Sequence, residues 1–186
     1  YVLNGHDSYA LLSEVLARAT ALVPAIDNAY LSINLTGKDM AHPDLVPDLL
    51  CHKEYSSRLV LELTEWEDVL SIAGIRDKIA AIRDAGFRVA LDDFGAMHSS
   101  VRVLREIRFD SIKLDMHLVR SNHPLDERIV RAVIDYCKGE GVCVTAEGVE
   151  EPWLLYRARA LGADFVQGFF VDRCVDRPAP REMMLN

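Results

Sequence analysis

Six short apolar segments recur along the chain at a pitch of about 20 to 30 residues, and each ends in polar residues. They are Tyr30–Leu35, Leu59–Leu63, Arg88–Leu91, Ser111–Leu114, Val142–Ala146 and Phe165–Phe170. Most are apolar at successive positions, as strands buried on both faces of a parallel sheet must be. Helical patterns fill the intervals. Residues Glu67 to Ala85 carry Val69, Leu70, Ile72, Ile75, Ile79 and Ile82, with Gly86 as the stop. Pro124 opens a helix expected to bury Ile129, Val130, Val133, Ile134 and Cys137 and to end near Gly139–Gly141. Pro152 opens another, with Leu154, Leu155, Ala158 and Leu161 inward and Gly162 at its stop. Before the first strand, Asp7 or Ser8 is expected to cap a helix that turns Leu11, Leu12, Val15, Leu16 and Leu22 to the core.

Alternating strands and helices make an α/β fold, either a doubly wound sheet or a closed barrel. No glycine-rich phosphate loop follows the first strand, which argues against a Rossmann fold. Six strands fall short of eight, so a (β/α)8 TIM-type barrel of this chain is incomplete at its N-terminal side. The 186 residues suffice for one domain with a real core, and no linker or low-complexity run divides them. We expect a single domain over residues 1–186. The first residue is Tyr1 rather than Met, so the expectation is that residues upstream are missing. No apolar run reaches the roughly 18 residues of a membrane span. The net charge of -8, without a basic stripe, excludes a nucleic-acid polymer as partner. An acidic chain still binds phosphates when metal ions stand between them. Cys51, Cys137, Cys143 and Cys174 form no C-x-x-C pair. They are expected to be reduced, mostly buried thiols of a cytoplasmic domain.

The chemistry lies at the strand ends, which read Ser32-Ile33-Asn34-Leu35, Glu62-Leu63-Thr64-Glu65, Leu91-Asp92-Asp93-Phe94-Gly95, Lys113-Leu114-Asp115, Glu147-Gly148-Val149-Glu150 and Gln167-Gly168. In a barrel the C-terminal strand ends converge on one mouth. A carboxylate after a strand also serves as a helix N-cap, a role that suits Glu65, Asp115 and Glu150. Asn34 and Glu62 sit inside apolar runs, where an unpaired polar group costs about 1–3 kcal/mol. Adjacent Asp92 and Asp93 repel each other unless a cation is near. A metal ion resolves each cost. Oxygen donors without thiolates point to Mg²⁺ or Mn²⁺, with Ca²⁺ as an inhibitory look-alike. Lys113 in an acidic ring can orient or activate a water. His6-Asp7 lacks a second such pair, and His42, His52, His98, His117 and His123 show no ligand spacing. Ser99-Ser100 reads as a helix cap, and Trp66 and Trp153 as packing residues. Arg and Glu on the outer helix faces read as solvated charges.

In this order, the motifs S-I-N-L, L-E-L-T-E, A-L-D-D-F-G, I-K-L-D, A-E-G-V-E and V-Q-G resemble the EAL domain family, from about Tyr30 to Pro178. Members of that family hydrolyse the bacterial second messenger cyclic di-GMP. The resemblance implies a modified β/α barrel and a two-metal site of Mg²⁺ or Mn²⁺ holding the water that opens one phosphodiester to give pGpG. By position it implies Asn34, Glu62, Asp92, Asp93 and Glu147 as metal ligands and Lys113 as the residue that positions the water. Asp115 would support Lys113 or the second metal, Glu65 would brace the loop after Asp92-Asp93, and Gln167 would line the site. A homodimer and an upstream sensory or GGDEF domain are the implied partners.

Two departures stand out. The family's Glu-Ala-Leu strand is absent. Glu14-Val15-Leu16-Ala17-Arg18 fits its pattern only as a string, within a helical stretch and too close to Asn34, so the missing strand is expected upstream of Tyr1. The loop that usually reads G-T-G-Y-S-S is here Gly95-Ala96-Met97-His98-Ser99-Ser100. The alternative expectation is therefore a catalytically impaired domain that acts as a cyclic di-GMP receptor or a protein-interaction module.

Overall fold

The computed structural model describes residues 8–26, 29–64, 69–96, 102–171 and 183–184. In chain order its elements are α1 (Ser8–Leu22), β1 (Leu31–Leu35), α2 (Gly37–Ala41), α3 (Leu45–Cys51), β2 (Leu59–Leu63), α4 (Ile75–Asp84), β3 (Arg88–Phe94), α5 (Arg102–Glu106), β4 (Ser111–Leu114), α6 (Met116–Arg120), α7 (Pro124–Glu140), β5 (Cys143–Ala146), α8 (Pro152–Leu161), β6 (Phe165–Val166) and β7 (Met183–Met184). They group into two compact units, Tyr1–Val89 with Val103–Ile107 and Ala90–Arg102 with Arg108–Asn186.

In the first unit β1 and β2 run parallel, in a register that pairs Leu31 with Leu59 and Asn34 with Glu62. Leu59, Leu61 and Leu63 are buried, which fixes that register by hydrophobic area. The chain turns into α2 directly after β1. Thr36 and Asp39 form a reciprocal capping box there, the Asp39 carboxylate accepting from the Thr36 amide at 2.9 Å. In α1 the buried stripe is Leu12, Leu16 and Ala19, whereas Leu11, Val15 and Leu22 are exposed. This corrects the broader inward face expected from sequence. A helix packed on one side buries one stripe, and residues about 100° around the helix face water. Glu14 and Arg18 pair with each other along its exposed face, as helical residues four apart do. The expected helix over Glu67 to Ala85 begins only at Ile75, because Gly74 is left-handed (φ 71°) and breaks the path. Val69 and Leu70 belong to a separate turn, and Glu67 lies outside the described residues.

In the second unit β3, β4, β5 and β6 are successive parallel neighbours, and β7 adds antiparallel to β6. Ile112, Leu114, Val144, Ala146 and Val166 form its buried strand core. α7 ends at a left-handed Gly141, and the Val142 amide bonds back to the Cys137 carbonyl at 2.8 Å. That helix cap removes Val142 from the strand expected to start there. α7 buries Val130, Val133, Ile134 and Cys137, but Ile129 is 51% exposed, against expectation. In α8, Leu154, Ala158 and Leu161 are buried and Leu155 is only half-buried. The last apolar run stops being a strand after Val166. Phe169 and Phe170 are exposed, and the Phe170 amide donates to the Val149 carbonyl at 3.0 Å. At Gly168 (φ 156°) a side chain would collide with the Val149 backbone, so the chain departs there. Cys51 and Cys143 are exposed at element ends while Cys137 is buried, so the described thiols are not mostly buried; Cys174 lies outside the described residues. Among the described residues no helix is long and apolar enough to cross a membrane.

Candidate metal centre

In a regular strand Asp92 and Asp93 would point to opposite faces. β3 is not regular at this point. Leu91 pairs with Ile112 but Phe94 pairs with Leu114, so three steps on β3 oppose two on β4. The extra residue is a bulge, and it re-aims side chains. Asp93 takes φ 50°, the one positive value at a non-glycine position among the described residues. The result is convergence: ligand oxygens of Asp92, Asp93 and Glu147 all lie within 4.8 Å of one another.

Lys113 completes the cluster from β4. Its Nζ is 2.9 Å from Asp92 Oδ1 and 2.8 Å from Glu147 Oε1, with the lysine side chain only 8% exposed. Three carboxylates against one ammonium leave a formal excess of two negative charges. Glu147 registers this imbalance: its carboxyl is pushed up to about 7, chiefly by burial, against the pull of Lys113 and with help from Asp92 and Asp93. Asp92 Oδ1 is close to Lys113 but lacks a hydrogen bond of good geometry. A buried carboxylate oxygen that finds no hydrogen bond among the described residues, and an all-oxygen donor set, fit a hard divalent cation. Asp92, Asp93 and Glu147 are the residues that could hold it.

The other expected site residues fall as follows. Asn34 and Glu62 are register partners on β1 and β2, with Glu62 buried. Asp115 is buried and caps α6, its carboxylate accepting from the His117 amide at 2.8 Å; it is not among the converging carboxylates. Gln167 follows β6, and its backbone accepts from the Val149 amide at 3.0 Å and donates to Ala146 at 2.9 Å. Glu65 lies outside the described residues, as do Trp66, His98 and Ser99-Ser100. The sequence reading did not single out Arg120, which bonds the Gly148 carbonyl at 2.9 Å and pairs with Glu150 at 2.6 Å. No sequence signal marks it, since its partners are a backbone carbonyl and a loop carboxylate.

The EAL domain family profile matches residues 7–173. A calcium and cyclic di-GMP complex of Klebsiella pneumoniae BlrP1 superposes with a TM-score of 0.80 at 32% identity, over 92% of this chain and 46% of that one. Among curated proteins, the probable cyclic di-GMP phosphodiesterase PdeG of Escherichia coli is 28% identical over 87% of this chain and 33% of its own length. Cyclic di-GMP phosphodiesterase PdeB of Shewanella oneidensis is 28% identical over 77% of this chain and 17% of its own. The chain thus spans a third or less of these two curated relatives. The fold is α/β, of the TIM-type barrel kind.

Proposed function

Because the chain belongs to the EAL domain family, we propose that it binds cyclic di-GMP and hydrolyses it to linear pGpG with Mg²⁺ or Mn²⁺. The observation that carries the reading is the convergence of Asp92, Asp93 and Glu147 around buried Lys113. Asn34 and Glu62 enter the proposal as further ligands on the sequence resemblance alone, as do Glu65 as a loop brace and Gln167 as a lining residue. Bound divalent ions supply charge against the phosphoryl oxygens and a water acidic enough to attack near neutral pH. The protein's own groups do the positioning. Asp92, Asp93 and Glu147 offer oxygens fixed by the bulge and by the end of β5. Lys113 donates from Nζ to Glu147, sets its charge against Asp92 and orients a water beside them. Asp115, by capping α6, keeps the backbone behind Lys113 in place. In this proposal residues 1–186 act as one cytoplasmic signalling domain, with a second copy and a sensory or GGDEF domain as partners.

The test is pGpG formation from cyclic di-GMP with Mg²⁺ or Mn²⁺, followed by chromatography. Asp92→Asn should lower turnover roughly a hundredfold or more, since even outer-shell changes cost 10–100-fold. The second reading, a receptor without turnover, is favoured by the sequence Gly95-Ala96-Met97-His98-Ser99-Ser100, which departs from the family pattern. Binding of cyclic di-GMP with no pGpG at micromolar enzyme would select it.

A further inference from the structure

We propose that Arg120 is a positioning residue for the metal centre, holding Glu147 by gripping the loop that follows it; the inference rests on the metal-binding reading above. Glu147 is the first residue after β5, and only Gly148 to Glu151 separate it from α8. One Arg120 nitrogen donates to the Gly148 carbonyl at 2.9 Å and lies 2.6 Å from Glu150 Oε2. The arginine thus fastens the carbonyl of the residue next to Glu147 and the carboxylate two residues further on. It does so while its Nε stays buried without a partner.

Arg120 and Lys113 flank one short segment. Lys113 is the penultimate residue of β4, Asp115 caps α6, and Arg120 is the last residue of α6. Glu147 is therefore held twice by this segment: through its carboxylate by Lys113 and through its following backbone by Arg120. Gly148 sits over Met116 of the same helix, where a side chain would collide with the Met116 Cβ. Behind Arg120 stands Arg157 of α8. It donates to the carbonyls of Val119, at 2.7 Å, and Ser121, the residues on either side of Arg120. Arg157 also lies 3.9 Å from Glu127. Outer contacts of this type set the orientation and affinity of metal ligands. A guanidinium suits the task because a terminal nitrogen carries two N–H donors, one available to the carbonyl and one to the carboxylate.

The experiment uses the full chain and Mn²⁺ alone as probe, with free Mn²⁺ read by electron paramagnetic resonance. Arg120→Gln should weaken Mn²⁺ binding roughly ten- to hundredfold, and Arg120→Lys, which keeps the charge, should recover part of the loss. In metal-free protein, hydrogen exchange at the Val149 amide, which bonds Gln167, should accelerate in Arg120→Gln while the Val144 amide stays protected. Mn²⁺ affinity in Arg120→Gln within twofold of the parent overturns the inference. A parent that takes up no Mn²⁺ overturns the metal reading and this inference with it. The exchange measurement, made without metal, tells that case from a misfolded variant.

Discussion

At the scale of single residues, the centre is a charge problem with one local solution. Buried Lys113 sets its ammonium against half-buried Asp92 and Glu147. Replacing it with methionine should lower the unfolding free energy of the metal-free protein by about 3 kcal/mol, because the carboxylates lose their counter-charge. Urea denaturation of Lys113→Met against the parent measures this, and added Mn²⁺ should restore part of the loss. A second residue gives a pH effect away from the site. Burial, and then Asp164, push the Cys137 thiol up to about 11. The unfolded chain therefore loses this proton first, from its ordinary value near 9. The contribution is intact below pH 9 and is lost as pH rises toward 11. The melting temperature should fall more steeply across that window in the parent than in Cys137→Ala. Residue types at the strand ends were legible in the sequence because carboxylates beside apolar runs demand a partner. A shared cation for Asp92 and Asp93 was expected too, but the bulge that brings them together was not, because strand alternation predicts opposite faces and a bulge leaves no mark of its own in composition. Asp115 illustrates the reverse: both of its possible roles were readable, and the structure shows the capping one.

At the scale of elements, every expected strand is present, since apolar runs with turn residues between them leave little choice. What sequence periodicity misjudged was depth. α1 and α7 carry more apolar residues than one buried stripe accepts, so Leu11, Val15, Leu22 and Ile129 face outward. Leu12→Ala should cost about 2–5 kcal/mol, whereas Leu11→Ala should stay within about 0.5 kcal/mol. Chemical denaturation of the pair separates the stripe from its neighbours. The end of β6 was misread for another reason. Its apolar run continues through Phe170, but backbone approach between Gly168 and Val149 diverts the chain. Gly168→Ala should destabilise by about 1–3 kcal/mol, with the Val149 amide losing hydrogen-exchange protection. An unchanged melting temperature for this variant would contradict the close approach.

At the scale of the whole molecule, a chain of net charge -8 is proposed to bind an anionic dinucleotide. Cations must mediate, so metal and nucleotide binding are expected to be coupled and to vanish together on chelation. A divalent ion held at a hundred times its dissociation constant should add about 2.7 kcal/mol of stability. Differential scanning calorimetry with Mn²⁺, then with excess EDTA, should show a reversible rise in melting temperature, absent in Asp92→Asn. The α/β class was legible at this scale from strand pitch, while the barrel also needed the absence of a glycine-rich loop and the family resemblance. The Asn34–Glu62 pairing was not, because register depends on which leucines meet across β1 and β2.

The left-handed backbone at Asp93 has a consequence for how such a chain drifts over generations. Few side chains tolerate that conformation; aspartate, asparagine and glycine are the favoured ones. An aspartate codon reaches either of the other two by changing one base. Both keep the backbone's shape and delete its charge. Under the proposed function, the gene therefore stands a single point mutation from a domain that folds as before and holds a metal less well, so that descendants of a hydrolase could turn to sensing without passing through a misfolded ancestor.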